Sequence, residues 1–307
     1  IDLYVTGNYN TTDNESDALQ HYRYFRPDAP RPKLTNRQFT YSPNDNYRLT
    51  GEVSYTEPLS KHLKLKATYN YRHEKNNNRH DLYQLDRYDY YANPNVPVGF
   101  RPTPGDSLEF VRNVENSTFS DLYNNAHRVV LRLQGQWDKV DMAISPLVTL
   151  NNENLYFQKG KDFFAPTRTS AHWNLFGTLK YKFDAQNYIQ LNYQGSTFRP
   201  TLQELLPISN TSDPMSETVN NPDLKTGWYN NIHFSSRFFN TKRGDSYNVW
   251  GGFSQSSNDV VTTMQVDPAT GFTRYNKKNV NGSYRTWGSV GTEQPLDTAR
   301  HWTLTSS

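Results

Sequence analysis

The chain has 307 residues, no cysteine, a formal net charge of +3 and a hydrophobic content of 34%. The lack of cysteine excludes a disulfide framework and thiolate metal sites, and the scattered lysines and arginines do not favour nucleic-acid binding. An aromatic content of 14% is nevertheless too high for a disordered chain. No run approaches the roughly 18 apolar residues of a transmembrane helix, although the strands of a membrane barrel give a much weaker hydropathy pattern.

Alternation of apolar and polar residues is the main pattern along the chain. In Leu63–Arg72 the odd positions are apolar or aromatic and the even positions are polar or charged. Successive side chains of a strand point to opposite faces, so this segment has one apolar and one polar face. The pattern predicts eleven strands, at about 1–10, 46–57, 62–75, 125–138, 140–151, 171–184, 187–198, 227–240, 246–257, 279–293 and 301–307.

The connections between these strands fall into two classes. Short turns rich in Pro, Gly, Asp and Asn join the strands of each pair, as at Asp138-Lys139 and Asp184–Gln186. The remaining connections are long, and they are predicted as loops at about 11–45, 76–124, 152–170, 199–226 and 258–278. All the long loops lie at one end of the strands, which is typical of barrels with short periplasmic turns and long extracellular loops.

The polar face carries so much charge that it needs contact with water. It includes Arg48, Glu52, Lys64, Lys66 and Arg132, while the apolar face has aromatic residues near both ends of the strands. The predicted fold is therefore all-β, an antiparallel up-and-down transmembrane β-barrel. The alternative is an antiparallel sheet of a soluble protein, which also has one solvated face.

Eleven is an odd number of strands, whereas single-chain bacterial barrels have an even number. Both termini read as strand, so we expect a fragment, with 1–307 forming a single partial β-barrel domain. Under this interpretation the eleven strands are part of a larger barrel, and further strands would flank them on both sides.

Residues 193–225 carry the most specific motif. Ser196-Thr197-Phe198-Arg199-Pro200 is followed by Leu205-Leu206-Pro207 and by Asn221-Pro222-Asp223-Leu224-Lys225. This arrangement resembles the barrel domain of TonB-dependent outer-membrane receptors, in particular the Bacteroidota-type outer-membrane β-barrel family. The match is partial, because Asn220 stands where the family has Gly and Thr226-Gly227 replace its Pro-Glu.

The resemblance implies a location in the outer membrane of a Gram-negative cell and a role as a receptor or transporter. It implies binding of a nutrient ligand at the extracellular loops and uptake energised by a TonB-type complex. Family members contact that complex through a plug region, which is not visible in this sequence. The expected partners are outer-membrane lipid, the energising complex and an unknown nutrient ligand, with no nucleic acid.

The long loop at about 76–124 is the strongest candidate for ligand contact. Tyrosine offers a broad amphipathic surface at low entropic cost, and loops on a rigid scaffold commonly carry recognition. The candidate ligand-binding residues are Tyr83, Arg87, Tyr88, Tyr90, Tyr91, Phe100 and Arg101, together with Arg199 at a strand end. The alternative is that these aromatic residues pack the loop onto the barrel rim and that Arg199 is a structural anchor.

The sequence offers no catalytic constellation, and the prediction is a protein that is not an enzyme and uses no cofactor and no metal site. The neighbours His80 and Asp81 are interpreted as a polar loop pair rather than a catalytic one. Two rival hypotheses remain: a soluble or surface-attached all-β protein that binds glycans, and an outer-membrane enzyme. The first predicts two packed sheets with both apolar faces buried.

Overall fold

A computed structural model describes residues 1–23, 33–87, 109–297 and 302–306. Strands dominate it. In chain order they are β1 (Asp2–Arg23), β2 (Lys33–Pro58), β3 (Leu63–Gln84), β4 (Thr118–Gln136), β5 (Val140–Lys159), β6 (Asp162–Phe164), β7 (Thr167–Lys182), β8 (Tyr188–Phe198), β9 (Ser209–Asn210), β10 (Ser216–Val219), β11 (Gly227–Phe239), β12 (Ser246–Ser257), β13 (Asp259–Val266), β14 (Thr273–Val280), β15 (Ser283–Pro295) and β16 (Thr303–Ser306). Short 3-10 turns lie at Leu85–Arg87, Val114–Asn116 and Gln203–Leu205.

One large antiparallel sheet, here called the wall, contains eleven strands in the order β1-β2-β3-β4-β5-β7-β8-β11-β12-β15-β16. The short strand β6 pairs with β5 beside this path. Each of the eleven predicted strands corresponds to one strand of the wall, which confirms the up-and-down order. Within the described residues β1 and β16 are its edges, so the idea that further strands complete the wall stays a prediction.

The apolar face of the wall is exposed rather than packed against another layer. Alternate positions on neighbouring strands are in register, for example Val53 with Tyr69, Tyr69 with Val129 and Val129 with Val148. Many large apolar side chains on this face are more than a third exposed, including Leu3, Val5, Val53, Tyr55, Val129, Leu131, Ile144, Val148, Leu150, Leu179, Leu191, Ile232 and Val290. The two buried faces of a soluble sandwich are therefore absent from the described wall, and the barrel interpretation is confirmed.

Aromatic rings gather in two bands on the apolar face. Near the short turns, the ring of Phe183 lies 5.0 Å from Tyr181 and 5.6 Å from Phe238. Toward the other end, Trp173 and Trp228 lie 4.2 Å apart. Amphipathic rings at two heights are typical of the interfaces of a membrane. Tyr188 also lies near a short turn, but it belongs to the polar face, where the ammonium group of Lys180 lies 3.8 Å from the centre of its ring.

The outer end of the wall, where the long connections lie, differs most from the prediction. In the described residues, the connections predicted at 11–45 and 152–170 are mostly strand and both ends of the one predicted at 76–124 are strand, because β1 to β5 and β7 continue well beyond the apolar band. Paired residues such as Asn76 with Asn46 and Asn77 with Asp121 are polar on both faces. Backbone pairing persists there without alternation, because both faces of the extended wall contact polar surroundings. The prediction of long structureless loops is therefore wrong for the described parts of 11–45 and 152–170 and for both ends of 76–124, whereas 88–108 lie outside the described residues.

The two other long connections form a second, four-stranded sheet in the order β13-β14-β10-β9, here called the outer sheet. Strands β13 and β14 make a hairpin, and β10 lies parallel to β14. The strand predicted at 279–293 therefore begins too early, because Asn279 and Val280 end β14 and the chain turns at Gly282 with a φ of +87°.

Two apolar clusters are buried near the outer end. Leu155 and Phe157 of β5 pack with Leu202 and Leu206, which follow β8. The other cluster joins Phe39, Tyr83, Leu85 and Val111. In the outer part of the protein, burial inside the fold thus replaces the exposed apolar band as the main source of stability.

Candidate functional site

Among the predicted ligand-binding residues that the structure describes, Tyr83 is buried in an apolar cluster. Its side chain is buried at 8% exposure and stacks on Phe39 at 5.8 Å. The segment after it folds back, so that the backbone N–H of Gln84 donates to the carbonyl of Val111 at 2.8 Å. This placement agrees with the packing alternative for Tyr83.

The other predicted loop residues are not brought together with Tyr83 by anything the structure describes. The backbone of Arg87 ends a 3-10 turn that begins at Leu85. Tyr88, Tyr90, Tyr91, Phe100 and Arg101 lie outside the described residues. Their contact with a ligand therefore stays a prediction.

Arg199 lies at the outer end of β8, on the polar face of the wall. Its guanidinium Nη1 is 2.9 Å from Oε2 of Glu153, and it also contacts the hydroxyl of Ser170. Arg168 approaches the same carboxylate oxygen at 2.9 Å and donates to the carbonyl of Pro200 at 2.8 Å. One carboxylate thus holds two guanidiniums and ties β5, β7 and the end of β8 together.

A cavity of about 520 Å³ lies between the outer parts of β2 to β5 and the chain around β9 and β10. We call it the outer cavity. Its lining is mostly polar and consists of Ser42, Asn78, Arg79, His80, Asn116, Thr118, Ser120, Phe157, Lys159, Gln203, Ile208, Ser209, Asn210, Thr218 and Asn220. Its size falls within the usual range of small-molecule sites, and its amides and hydroxyls offer both donors and acceptors.

Lys159, at the end of β5, is a half-buried cation in the lining of the outer cavity. Its Nζ lies 3.4 Å from Oδ1 of Asn116 and donates to the carbonyl of Ser209. Burial lowers the pKa of Lys159. No carboxylate of the described chain lies within 4 Å of this ammonium group, so its charge is available to a ligand with acceptor atoms.

His80 and Asp81 are neighbours in β3 but take part in different networks. The Nδ1 atom of His80 lies 3.0 Å from the hydroxyl of Ser42 in the outer cavity, and burial lowers the pKa of this imidazole. Asp81 is 1% exposed and pairs with Arg79 at 2.5 Å and with Arg112 at 2.6 Å. The structure therefore gives no hydrogen-bonded His–Asp pair here, in agreement with the non-catalytic interpretation.

Side-chain hydrogen bonds connect residues 211–213, which follow β9 beside the outer cavity, to the wall. The hydroxyl of Tyr22 donates to Asp213 at 2.9 Å, and Nε2 of Gln38 donates to the carbonyl of Ser212 at 2.5 Å. The amide oxygen of Asn116 accepts from the backbone N–H and the hydroxyl of Thr211 at 3.3 and 3.2 Å. Residues 211–213 are thus held by side chains of β1, of β2 and of the turn that precedes β4.

The motif residues of 193–225 shape the same region. Leu202, Leu206 and Leu224 are buried, and Asn221 donates its amide to the carbonyl of Lys277 at 2.9 Å. The backbone N–H of Lys225 donates to Oδ1 of Asn279 at 2.7 Å. These contacts explain a Leu- and Asn-rich sequence here, because the segment must be anchored both to the cluster below it and to the outer sheet beside it.

Comparisons with known proteins agree with this architecture. Residues 166–307 match the outer membrane protein beta-barrel family. The chain is part of an outer-membrane β-barrel. The short turns of this outer-membrane barrel are accordingly periplasmic, and the outer cavity and outer sheet are extracellular.

Solved structures show the same fold at low sequence identity. The copper transporter OprC is similar with a TM-score of 0.56 and 12% identity over 96% of this chain and 41% of that one. The hemophore receptor HasR of Serratia marcescens, solved with its hemophore HasA and heme, gives a TM-score of 0.52 and 10% identity over 98% of this chain and 47% of that one. The chain thus spans less than half the length of these two proteins. No curated protein sequence matches it.

Among the described residues, no helix is long and apolar enough to span a bilayer, a finding that does not bear on strands.

Sequence reasoning missed most of the outer cavity. Lys159, Asn116 and Thr211 stand far apart in sequence and carry no shared motif. The usable indications were His80 and the family motif at 193–225, which contributes Gln203 and Asn220 to the lining. Hydrogen-bonding residues spread over several strands become a site only through the register of the wall.

Proposed function

We propose that this outer-membrane barrel is a receptor that binds a nutrient ligand in the outer cavity and admits it by TonB-energised uptake. The outer cavity is the observation that supports this function most strongly. It is extracellular, it is lined by donors and acceptors, and it opens above the polar face that forms the lumen side of the wall. The titles of the similar structures name a transporter and a receptor, which supports the same class.

Recognition in the outer cavity is polar. Lys159 and Arg79 supply positive charge, His80 an imidazole, and Asn78 and Asn220 supply amides. Such a set suits a ligand with several oxygen or nitrogen atoms, such as a siderophore, a vitamin, an oligosaccharide or a peptide. The remaining predicted tyrosines of the loop at 76–124, Tyr88, Tyr90 and Tyr91, would add an amphipathic rim to this site.

A substitution that fills the outer cavity tests the proposal. Thr218 on β10 lines the cavity, whereas Thr262 on β13 is exposed on the same outer sheet and does not. We expect Thr218→Trp to abolish uptake and Thr262→Trp to leave it close to the wild type, because only the first indole would occupy the ligand volume. Thr262→Trp thus controls for the effect of an added tryptophan on the folding of the outer sheet.

Uptake is measured with four radiolabelled probes: a ferric siderophore, cobalamin, an oligosaccharide and a short peptide. A Gram-negative strain that lacks the protein is compared with strains carrying the wild type or either variant, with and without a protonophore. At least one probe should accumulate in a protein-dependent and protonophore-sensitive way. Accumulation no better than in the strain without the protein for all four probes, or wild-type uptake by Thr218→Trp, would contradict the proposal.

A further inference from the structure

Three aromatic side chains lie exposed on the outside of the wall, in its extracellular part. They are Phe119 of β4, Tyr156 of β5 and Phe163 of β6, and each is more than a third exposed. The register places Phe119 and Phe163 on either side of Gln158, in one row across the three strands. Tyr156 lies two residues before Gln158 on β5, nearer the membrane. We call Phe119, Tyr156 and Phe163 the exterior patch.

The alternation along β5 fixes the direction of these side chains. Val148 is exposed in the apolar band, and every second residue from there to Gln158 lies on the same outer face. The residues between them point to the lumen side, where Leu155 and Phe157 pack in a buried cluster. Both β4 and β5 have paired strands on either side, so further strands of the barrel would be added at β1 or β16 and not over this face.

The exterior patch lies too far out to belong to the aromatic band at the membrane interface. That band contains Trp173, which pairs in register with Val148. Tyr156 follows Val148 by eight residues on β5, about 27 Å at a rise of about 3.4 Å per residue. Barrel strands tilt by about 35–45°, so the patch lies roughly 20 Å above the band. The headgroup region is only about 5–8 Å thick on each side of a bilayer, and the patch lies beyond it.

The outer face of β5 beside the rings is polar and uncharged. Asn154 and Gln158 flank Tyr156 there, and Thr167 of β7 pairs in register with Asn154. Asp121 lies opposite Tyr156 and already accepts a hydrogen bond from Asn77 at 2.8 Å. Aromatic faces bind the C–H faces of sugars, while amides and hydroxyls pair with sugar hydroxyls. This combination suits a neutral carbohydrate better than an acyl chain.

The geometry of the rings supports the same ligand class. Tyr156 is held from one side by Tyr123, whose ring lies 6.1 Å away in an edge-on arrangement, so its orientation is fixed before a ligand arrives. Lys75 covers the ring of Tyr123 at 5.2 Å. Phe119 and Phe163 are two strand spacings apart, roughly 10 Å, which is wide enough for more than one sugar ring.

We propose that the exterior patch binds the sugar chain of the glycolipid that forms the outer leaflet of the membrane around the barrel. The occupant is the core oligosaccharide of lipopolysaccharide, because the patch continues the lipid-contacting face of the wall and lies just beyond the headgroups. A glycolipid anchored beside the barrel presents its sugars at a millimolar effective concentration, so weak stacking on the rings is sufficient. This role is independent of the outer cavity and of uptake, since the patch is outside the barrel.

Binding of two lipopolysaccharides by the full-length protein in detergent tests the proposal. One has a complete core, and the other comes from a deep-rough strain and lacks all but the innermost sugars, whereas both carry the same phosphorylated lipid. Anisotropy titrations with fluorescently labelled lipopolysaccharide give an apparent Kd for each. We expect the wild type to bind the complete form about tenfold more tightly, because only that form reaches the rings.

Phe163→Ala and Tyr156→Ala should each reduce this preference by about threefold, and the double variant should abolish it. Phe110→Ala is the matched control. Its ring is also extracellular and still more exposed, but it precedes β4 and is not part of the exterior patch, so the tenfold preference should remain. Phe163 and Phe110 are both exposed, so neither single substitution is expected to alter folding.

Equal affinities of the wild type for the two lipopolysaccharides would overturn the proposal, and so would a preference that survives in the double variant. Core oligosaccharide released from its lipid is the third probe. If it binds as tightly as the intact molecule, the patch takes a free glycan and the assigned occupant is wrong. A dimer of the wild type that the double variant dissociates would also overturn the proposal, because a second copy would then cover the patch.

Discussion

The membrane-spanning part of the wall and the extracellular part above it contain the same strands but place their apolar side chains differently. In the membrane-spanning part, residues such as Val129 and Leu179 are exposed on the outer surface, where they contact lipid. In the upper part, Leu155 and Phe157 of β5 are buried in a cluster completed by residues after β8. One strand can thus belong to two environments, and each has its own requirement for stability.

The difference shows where this barrel can carry specificity. A sheet in lipid must keep every backbone polar group hydrogen-bonded and its outer face apolar. The choice of residues on that face is therefore narrow. The extracellular extension has water and protein on its two faces, so it can fold a second sheet and enclose a cavity. Three experiments test this contrast, and they follow in order of expected effect.

Phe157→Ala should cause the largest loss, because its ring is 1% exposed within the cluster of Leu155, Leu202 and Leu206. Truncating a buried phenylalanine costs about 3–5 kcal/mol of unfolding free energy. The loss should appear as faster native-state hydrogen exchange in the outer part of β5 and in the chain after β8. Phe163→Ala on β6 is the matched control, since that ring is 64% exposed. A similar change in both variants would show that the outer layer is not held by this cluster.

Leu131→Arg should be next, because it introduces a charge into the exposed apolar band. The expected cost is about 2–4 kcal/mol near the middle of the bilayer. It can be measured by urea unfolding of the protein refolded into lipid vesicles. Gln134→Arg on the same strand faces the lumen side and should be nearly neutral. If the two variants unfold alike, the assignment of the outward face is wrong.

The ion pair between Glu204 and Lys277, at 2.6 Å, should give the smallest effect. It links the chain after β8 to the outer sheet, and both side chains are partly exposed, so a coupling energy of about 0.2–1 kcal/mol is expected. A double-mutant cycle of Glu204→Gln and Lys277→Met, followed by hydrogen exchange in β14, measures it.

This coupling should depend on pH in a defined direction. Burial alone raises the pKa of Glu204, but hydrogen bonds from Lys277 and Thr201 outweigh it, and the pKa lies below its ordinary value. The stabilisation is therefore complete above the unfolded-state pKa of about 4.3 and is lost as the pH falls through the lower folded-state pKa. A coupling that is unchanged well below that range would show that the carboxylate charge is not its source.

Sequence reasoning was accurate where one face of a strand is apolar and the other polar. Leu63–Arg72 identified β3, and the turn at Asp184 is confirmed, because its carboxylate accepts from the backbone N–H groups of Gln186 and Asn187 at 2.8 and 2.9 Å. Sequence reasoning placed the end of β3 too early, before Asn76, because both faces are polar at 76–78 and the alternation is lost although the strand continues. The predicted ligand residues of the loop beyond Arg87 remain a prediction.

The sequence alone determined the class of the fold, the number and order of the wall strands and the sides on which lipid and water lie. It could do so because a strand between two different solvents must alternate, and that alternation is local. Only the tertiary structure decided that the long connections extend the wall, fold an outer sheet and enclose a cavity. Those features arise from register and from contacts such as Arg199 with Glu153 or Lys159 with Ser209, between residues that are distant in sequence. No local pattern encodes them, because each partner alone is only a polar residue near the end of a strand.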